Sequence, residues 1–188
     1  MEPQEIVFES SDPNSIIHKF RPNLTPRQIF LLGSFGGTYW RPIISTITNE
    51  SYSNRHKEFE KYDWWKDIPD SYLITEWDNY NKSINKYKVK CGSTLIEWEN
   101  SGWIDKQDPY GWVEWYCNFY LGRRSSDDER QIKRWLSFCG PKGRFKKRLI
   151  NMIKKDSTYD DISISPVIRQ SMQHWGYQLT EDDLKTEN

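Results

Sequence analysis

The sequence contains no alanine, and cysteine, histidine and methionine occur only three times each among its 188 residues. Cys91, Cys117 and Cys139 are far apart and show no Cys-x-x-Cys spacing, which argues against a disulfide framework and favours reduced thiols. The histidines occur in no His-Glu-x-x-His or Cys/His ligand pattern. The sequence therefore predicts neither a metal site nor a bound cofactor.

Long apolar runs are missing as well. No stretch approaches the length that spans a bilayer, and the first five residues, Met-Glu-Pro-Gln-Glu, lack the basic and apolar regions of a signal peptide. We therefore expect an intracellular protein, cytoplasmic or nuclear, that makes no contact with membranes.

Aromatic side chains are abundant and must supply much of the buried surface. The chain has ten Trp, eleven Tyr and eight Phe, and one large aromatic side chain can bury roughly 150–250 Å². This density predicts a folded chain rather than a disordered one. We expect a mainly α protein with a minor β component (α+β), built as a single compact aromatic-rich domain with a helical C-terminal half.

Proline positions and local composition along the chain predict the domain organisation. Residues 1–22 are polar and carry three prolines, so we predict an irregular N-terminal arm, with a possible short strand over 5–9. Residues 23–188 form the globular domain, in which 110–177 are the helical basic half. A further short strand is predicted over 86–90, where apolar and basic residues alternate.

Four helices are predicted in the second half from apolar residues at helical spacing. Trp112, Trp115, Tyr116 and Phe119 share one helical face. A capping box over 126–129 begins the second helix, which ends at 140–141. The third covers about 145–153, and Ser165-Pro166 begins the fourth, which ends at 176.

The balanced total charge conceals an uneven distribution. The formal net charge is zero, yet residues 123–155 carry twelve Lys and Arg against three acids, which gives +9 there and −9 in the remainder. An aromatic-dense run, 110–120, precedes this basic segment. Cations beside aromatic rings can neutralise phosphates and stack on bases, which favours nucleic-acid binding.

The candidate nucleic-acid contacts are the cations of this segment and two aromatic side chains that fall outside the core pattern. They are Arg123, Arg124, Arg130, Lys133, Arg134, Arg144, Lys146, Lys147, Arg148, Tyr120 and Trp64. Trp64 is included because a helical period would place one member of the Trp64-Trp65 pair outward. If this segment binds phosphates, its cations must be unpaired and must share one surface. This applies at least to Arg123, Arg124, Arg134, Lys147 and Arg148.

Other interpretations of the same residues stay open. The basic segment can be the solvated outer face of amphipathic helices, and the tryptophans at helical spacing can all belong to the core. Acidic pairs such as Asp127/Asp128 and Asp160/Asp161 would suit a nuclease or a glycosylase-like enzyme if the fold brought them together. A protein–protein module with an acidic or a basic partner is a further alternative. No nucleophile elbow is present, and we assign no catalytic residue.

Three segments of the second half, 108–124, 127–135 and 165–177, together with 33–42, resemble an uncharacterised protein family of large DNA viruses, fungi and algae. The resemblance covers about half of the chain. It implies a shared fold and a viral or lower-eukaryotic source. It implies no activity and no functional residue, so the nucleic-acid-binding hypothesis depends on the charge and aromatic pattern.

Overall fold

The computed structural model describes residues 4–153 and 157–185. Most of its helices begin at residues that carry a local sequence signal. Within these residues the α-helices are α1 (Pro26–Leu31), α2 (Leu95–Asn100), α3 (Trp112–Tyr120), α4 (Asp128–Cys139), α5 (Arg144–Met152), α6 (Pro166–His174) and α7 (Glu181–Lys185). The Thr25 side chain caps α1 through the Gln28 N–H, while the Gln28 side chain accepts from the Thr25 N–H. The helices predicted for the second half are therefore confirmed as α3 to α6.

Strand structure is confined to one small hairpin in the described residues. β1 (Ile43–Ser45) pairs antiparallel with β2 (Glu50–Tyr52), so that Ile43 lies opposite Tyr52. With 45% helix and 4% strand, the predicted fold class, mainly α with a minor β component, is confirmed. The strands predicted over 5–9 and 86–90 are absent; both segments lie in non-strand backbone.

Short 3₁₀ helices and turns connect β2 to α2. They cover Arg55–Tyr62, Asp70–Tyr72, Trp77–Asn79 and Lys82–Ile84, and two more lie upstream at Ile16–Lys19 and Ser34–Gly37. This part of the chain has no sustained apolar period, and its backbone turns at residues with positive φ such as Asp63 and Lys88. Its residues are ordered by contacts with the 3₁₀ turn Ser34–Gly37 and with the aromatic core rather than by a regular element.

The buried apolar side chains form one cluster that extends from Phe8 to Leu179. Phe20 lies at its centre, fully buried, with its ring edge-to-face with Trp135 at 5.2 Å and stacked on Phe8 at 5.3 Å. The segment expected to be a separate irregular arm therefore packs into the domain. Its backbone is irregular as predicted, but the boundary expected at residue 22 does not interrupt the core.

A hydrogen-bonded seam joins the end of this arm to the chain after α6. The Asn23 and Leu24 N–H groups both donate to the Gly176 carbonyl at 3.0 Å. The Asn23 side chain donates to the Gln178 carbonyl and accepts from the Gln178 N–H, each at 2.8 Å. The seam fixes α1 and α6 at one edge of the core.

No helix in residues 4–153 and 157–185 has the length and apolarity needed to cross a membrane. Lys154 and Lys155, counted in the basic segment, lie outside the described residues.

Candidate functional site

Four of the predicted phosphate contacts are engaged in ion pairs. Their partners are carboxylates: Arg123 with Asp108, Arg130 with Asp127, Lys133 with Glu129, and Lys146 with Asp183. A cation already neutralised by a carboxylate gains little from a phosphate. These four residues are therefore removed from the candidate interface.

Two of these pairs are structural. Asp108 is fully buried, and it accepts two hydrogen bonds from the Arg123 guanidinium and one from the Asn118 side chain at 3.1 Å. Burial raises the pKa of Asp108, and Arg123 opposes that rise. Lys146 lies 2.5 Å from Asp183, with its side chain only 12% exposed. Removing either cation would leave a buried carboxylate without its partner.

The expectation that Trp64 presents a free ring is wrong. Trp64 and Trp65 are each only 8% exposed, because they lie in a turn after Asp63 (φ 56°) rather than on a helix that would separate their directions. The Trp64 ring stacks on Phe59, with 5.4 Å between centroids. Tyr120 is half-buried, with its ring edge-to-face with Trp64 at 5.9 Å. Neither ring offers an open face for a base.

An open aromatic cleft of about 360 Å³ lies where α4, α5 and α6 meet the segment 92–104. Aromatic rings form most of its walls, and two arginines, two serines and one histidine supply the polar groups. The lining residues include Phe35, Tyr39, Ser93, Trp98, Trp103, Trp112, Arg134, Phe138, Arg144, Phe145, His174 and Trp175. No described carboxylate lines this aromatic cleft.

Arg134 projects from α4 into one side of the cleft. Its guanidinium carbon lies 5.3 Å from the ring centroid of Trp103 and 5.2 Å from that of Trp175. It donates to the Trp103 carbonyl at 3.2 Å and to the Gln131 side chain at 3.0 Å, and no described carboxylate forms an ion pair with it. Burial, with a smaller contribution from Arg130, lowers the pKa of Arg134 to about 10. Arg134 is therefore charged at neutral pH and lacks a counter-ion.

Arg144, at the start of α5, repeats this arrangement at the other side. Its guanidinium carbon lies 4.2 Å from the Phe138 ring centroid and 5.2 Å from that of Phe145. Phe138 in turn stacks on Trp175, with 4.6 Å between centroids and 25° between planes. A continuous series of rings therefore connects Arg144 to Arg134, and cation–π contact orders both guanidinium groups.

Lys147 and Arg148 continue the basic surface from the cleft along α5. They follow Arg144 by three and four residues, which is the spacing of neighbours on one helical side. Both are exposed, and neither has an ion-pair partner in the described part of the chain. We refer to Arg144, Lys147 and Arg148 as the α5 cations. Of the five cations required to be unpaired, only Arg123 is bound to a carboxylate within the described residues.

Arg124 lies apart from this group. Its guanidinium lies 3.9 Å above the Phe119 ring and donates to the carbonyls of Phe119 and Arg123. It is exposed but does not line the aromatic cleft. The basic segment is thus divided between a cleft with its α5 cations and isolated or paired cations elsewhere.

A thiol and an imidazole meet beside the cleft, with 3.7 Å between Cys91 Sγ and His174 Nδ1. The Phe35 N–H donates to His174 Nε2 at 3.2 Å, so the proton of the neutral ring is on Nδ1, which faces the sulfur. Burial lowers the pKa of His174 to about 3 and raises that of Cys91 to about 11. The imidazole therefore has no free lone pair towards the thiol, and this pair is not an activated nucleophile.

Three of the four acids considered for catalysis, Asp127, Asp128 and Asp161, have structural partners. Asp128 accepts from the Trp115 indole at 2.9 Å and from the Ser125 N–H at 2.9 Å, and α4 begins after Asp127 with no side-chain cap, so the capping box expected over 126–129 does not form. Asp127 binds Arg130. The Asp161 side chain accepts from the N–H and hydroxyl of Ser163 in a local turn. None of these carboxylates lines the cleft.

Another buried carboxylate, Glu114, lies under the β hairpin and was not identified from the sequence. Its side chain is fully buried, 2.6 Å from Arg55 Nε, and accepts from the Tyr110 N–H at 2.9 Å. Burial raises the pKa of Glu114 to about 7, although the hydrogen bond from Arg55 opposes this.

In residues 4–153 and 157–185, no group of three or more His, Cys, Asp or Glu side chains could hold a metal ion.

The sequence indicated Arg134 and Arg144 as candidate contacts, but it did not indicate the aromatic rings that pack against them and form the cleft. Trp103, Phe138 and Trp175 belong to three different segments, and helical spacing assigned Trp175 to the core. The only available signal was that Trp103 lies between the strand predicted over 86–90 and the helix that begins near Trp112, where an aromatic residue has no periodic reason to be buried.

Comparisons of the chain with protein-family models, with curated proteins and with solved structures gave no match. The resemblance to a family of large DNA viruses, fungi and algae stays a prediction, and function must be argued from the geometry of the cleft.

Proposed function

We propose that this protein binds single-stranded nucleic acid, with a base in the aromatic cleft and phosphates on Arg134 and the α5 cations. One observation carries the proposal: two guanidinium groups, each packed over two aromatic rings, border the same cleft without a carboxylate partner. Aromatic platforms beside cations are the combination that single-strand binding requires.

The sign of the charge narrows the class of ligand. Aromatic walls alone would also suit a quaternary ammonium group, which binds ring faces through cation–π contact. Arg134 and Arg144 would repel such a ligand, because no described acid at the cleft offsets their charges. The cleft therefore suits a planar ligand that is neutral at the ring and anionic outside it, as a nucleotide is.

The shape of the site favours a single strand over a duplex. Bases in a duplex are stacked on each other, so their faces are not available to protein rings unless a base is extruded at a cost of a few kcal/mol. The cleft presents its rings within walls rather than as a ridge that could enter a groove. Unpaired bases can enter it directly.

The free thiols support an intracellular location for this activity. Cys91, Cys117 and Cys139 are all unpaired, as expected for a protein that works in a reducing compartment.

The protein–protein alternative, with an acidic partner on the α5 cations, would use the cations without the rings. The following test distinguishes the two.

Replacing Arg144 with glutamine is expected to weaken binding of a fluorescein-labelled single strand about ten- to a hundredfold, the range for one charge-assisted contact. Trp103 is 38% exposed and is therefore dispensable for the core. Trp103→Ala should weaken binding by a similar factor, because the loss of stacking on one base costs about 1–3 kcal/mol. The measurement is fluorescence anisotropy at several salt concentrations, where the slope of log K should fall by about 0.7 for each phosphate contact removed.

Lys133→Gln is the matched control, since it removes the same charge from a cation already paired with Glu129. It should change affinity by less than about threefold. Equal effects of Lys133→Gln and Arg144→Gln, or an unchanged affinity in Trp103→Ala, would contradict the proposal and favour a purely electrostatic protein contact.

A further inference from the structure

The aromatic cleft shares a wall with a second, much narrower opening of about 20 Å³. Tyr39, Ser93 and Trp98 line both spaces, together with Phe35 and Gly92. The two openings are therefore neighbours on either side of one thin partition rather than unrelated depressions.

Beyond this partition, the pairing of cations with rings occurs again. The Arg41 guanidinium carbon lies 5.1 Å from the Trp77 ring centroid, and Lys90 Nζ lies 4.8 Å from the centroids of both Trp77 and Tyr80. Arg41 donates to the Thr38 carbonyl at 2.9 Å, and no described carboxylate forms an ion pair with it. We refer to Arg41, Trp77, Tyr80 and Lys90 as the Trp77 patch.

Neighbouring residues hold the Tyr80 ring of the patch in place. The Tyr80 hydroxyl accepts from the Asn85 side chain at 2.9 Å. Gly36 packs so closely against the Tyr80 ring that an added Cβ would lie 2.5 Å from it. The ring is therefore fixed before any ligand arrives, which limits the entropy lost on binding.

The surface between the cleft and the patch is open at Gly92. This residue is exposed, with φ +91°, and an added Cβ there would meet only His174 Nδ1, at 4.0 Å. A chain of nucleotides could cross at this point without displacing a side chain. The absence of a side chain between two ring-and-cation sites connects them along one surface.

We propose that the Trp77 patch is a second subsite for the same single strand, so that one strand occupies the cleft, crosses Gly92 and places a further base and phosphate on the patch. This inference rests on the proposed function. It adds that the ligand is an oligonucleotide rather than a mononucleotide, because the cleft alone accounts for only one end of the surface. Arg41 and Lys90 release their rings to a base and take the adjacent phosphate.

The test compares ligands of two lengths on the full chain. The part of nucleoside 5′-monophosphate binding that Arg144→Gln removes reports on the cleft, because Arg144 lines the cleft and not the narrower opening. Single strands of about twelve nucleotides, DNA in one arm and RNA in the other, can reach both subsites. Lys90→Gln and Trp77→Ala are each expected to weaken the long strands about tenfold or more and to leave mononucleotide affinity unchanged. Arg144→Gln should weaken both ligands. Lys88→Gln, with the same charge change two residues away, is the control.

The outcomes separate the inference from the proposed function. If mononucleotide and long strand both bind but Lys90→Gln and Trp77→Ala leave the long strand unaffected, the second subsite is overturned and the cleft stands. If Trp77→Ala weakens both ligands equally, the variant has damaged the cleft, and Lys90→Gln decides. If neither ligand binds the unmodified protein, the proposed function itself fails.

Discussion

Replacement of Phe20 by alanine is expected to lower the free energy of unfolding by about 3–5 kcal/mol, the usual cost of removing a fully buried aromatic side chain. Phe20 is inaccessible to solvent, and its ring centroid lies 5.6 Å from that of Trp115 and 5.2 Å from that of Trp135. The cavity would be bordered by large rings that cannot collapse into it. Urea denaturation followed by tryptophan fluorescence measures the change.

Val7→Ala is the control within the same arm, because Val7 is 58% exposed and next to the buried Phe8. It should change stability by no more than about 0.5 kcal/mol. If Phe20→Ala were equally mild, the arm would not be part of the core, and the packing of residues 4–22 described above would be wrong.

Replacement of Arg55 by methionine should destabilise the protein by about 3–5 kcal/mol above neutral pH, because it leaves the buried Glu114 charge without its partner. Methionine keeps the length of the side chain while removing the guanidinium. Since the Glu114 side chain is fully buried, solvent cannot replace the lost contact. The expected loss is among the largest for any change of a charged residue in this chain.

The effect should depend on pH in a defined direction. Burial raises the pKa of Glu114 from 4.5 to about 7, so the folded state holds this proton more tightly than the unfolded state. Stabilisation from the protonated group is complete below about pH 4.5 and is lost as the pH rises through about 7. Without Arg55 the folded pKa rises further, so Arg55→Met should approach the stability of the unmodified protein near pH 5.

Urea titrations at about pH 5 and about pH 8.5 check this, with Glu114→Gln as the variant that lacks the titrating group. Glu114→Gln should remove a pH-dependent contribution of about 3 kcal/mol between these conditions. An Arg55→Met destabilisation that is identical at both pH values would show that Arg55 acts through packing rather than through the charge of Glu114.

The sequence predicted the helices well because their signals are local. The spacing of Trp112, Trp115 and Phe119 identifies the buried side of α3, and Ser165 with Pro166 identifies the start of α6. The start of α4 is mispredicted because a contact outside the helix is involved: Asp128 binds the Trp115 indole and the Ser125 N–H, and no side chain caps the helix.

The candidate site could be predicted only in part because its components meet through long-range packing. Arg134 and Arg144 were identified by charge, but no pattern in the sequence shows that Lys146 contacts Asp183 or that Arg123 contacts Asp108. The cleft is assembled from segments around residues 35, 98, 134 and 175. Between β2 and α2 the sequence has no regular period, so neither the burial of Trp64 nor the Trp77 patch could be predicted.

The seam between Asn23 and Gln178 determines when this protein can fold during synthesis. The two residues are 155 positions apart, so the ribosome delivers the arm long before its partners in the seam. Until α3 and α4 have been made, Phe8 and Phe20 lack the rings of Phe119 and Trp135 on which they pack, and the Trp175 wall of the cleft forms only once α6 has been made. A growing chain therefore exposes these apolar rings until α4 has been made, and it completes the wall of the aromatic cleft only after α6.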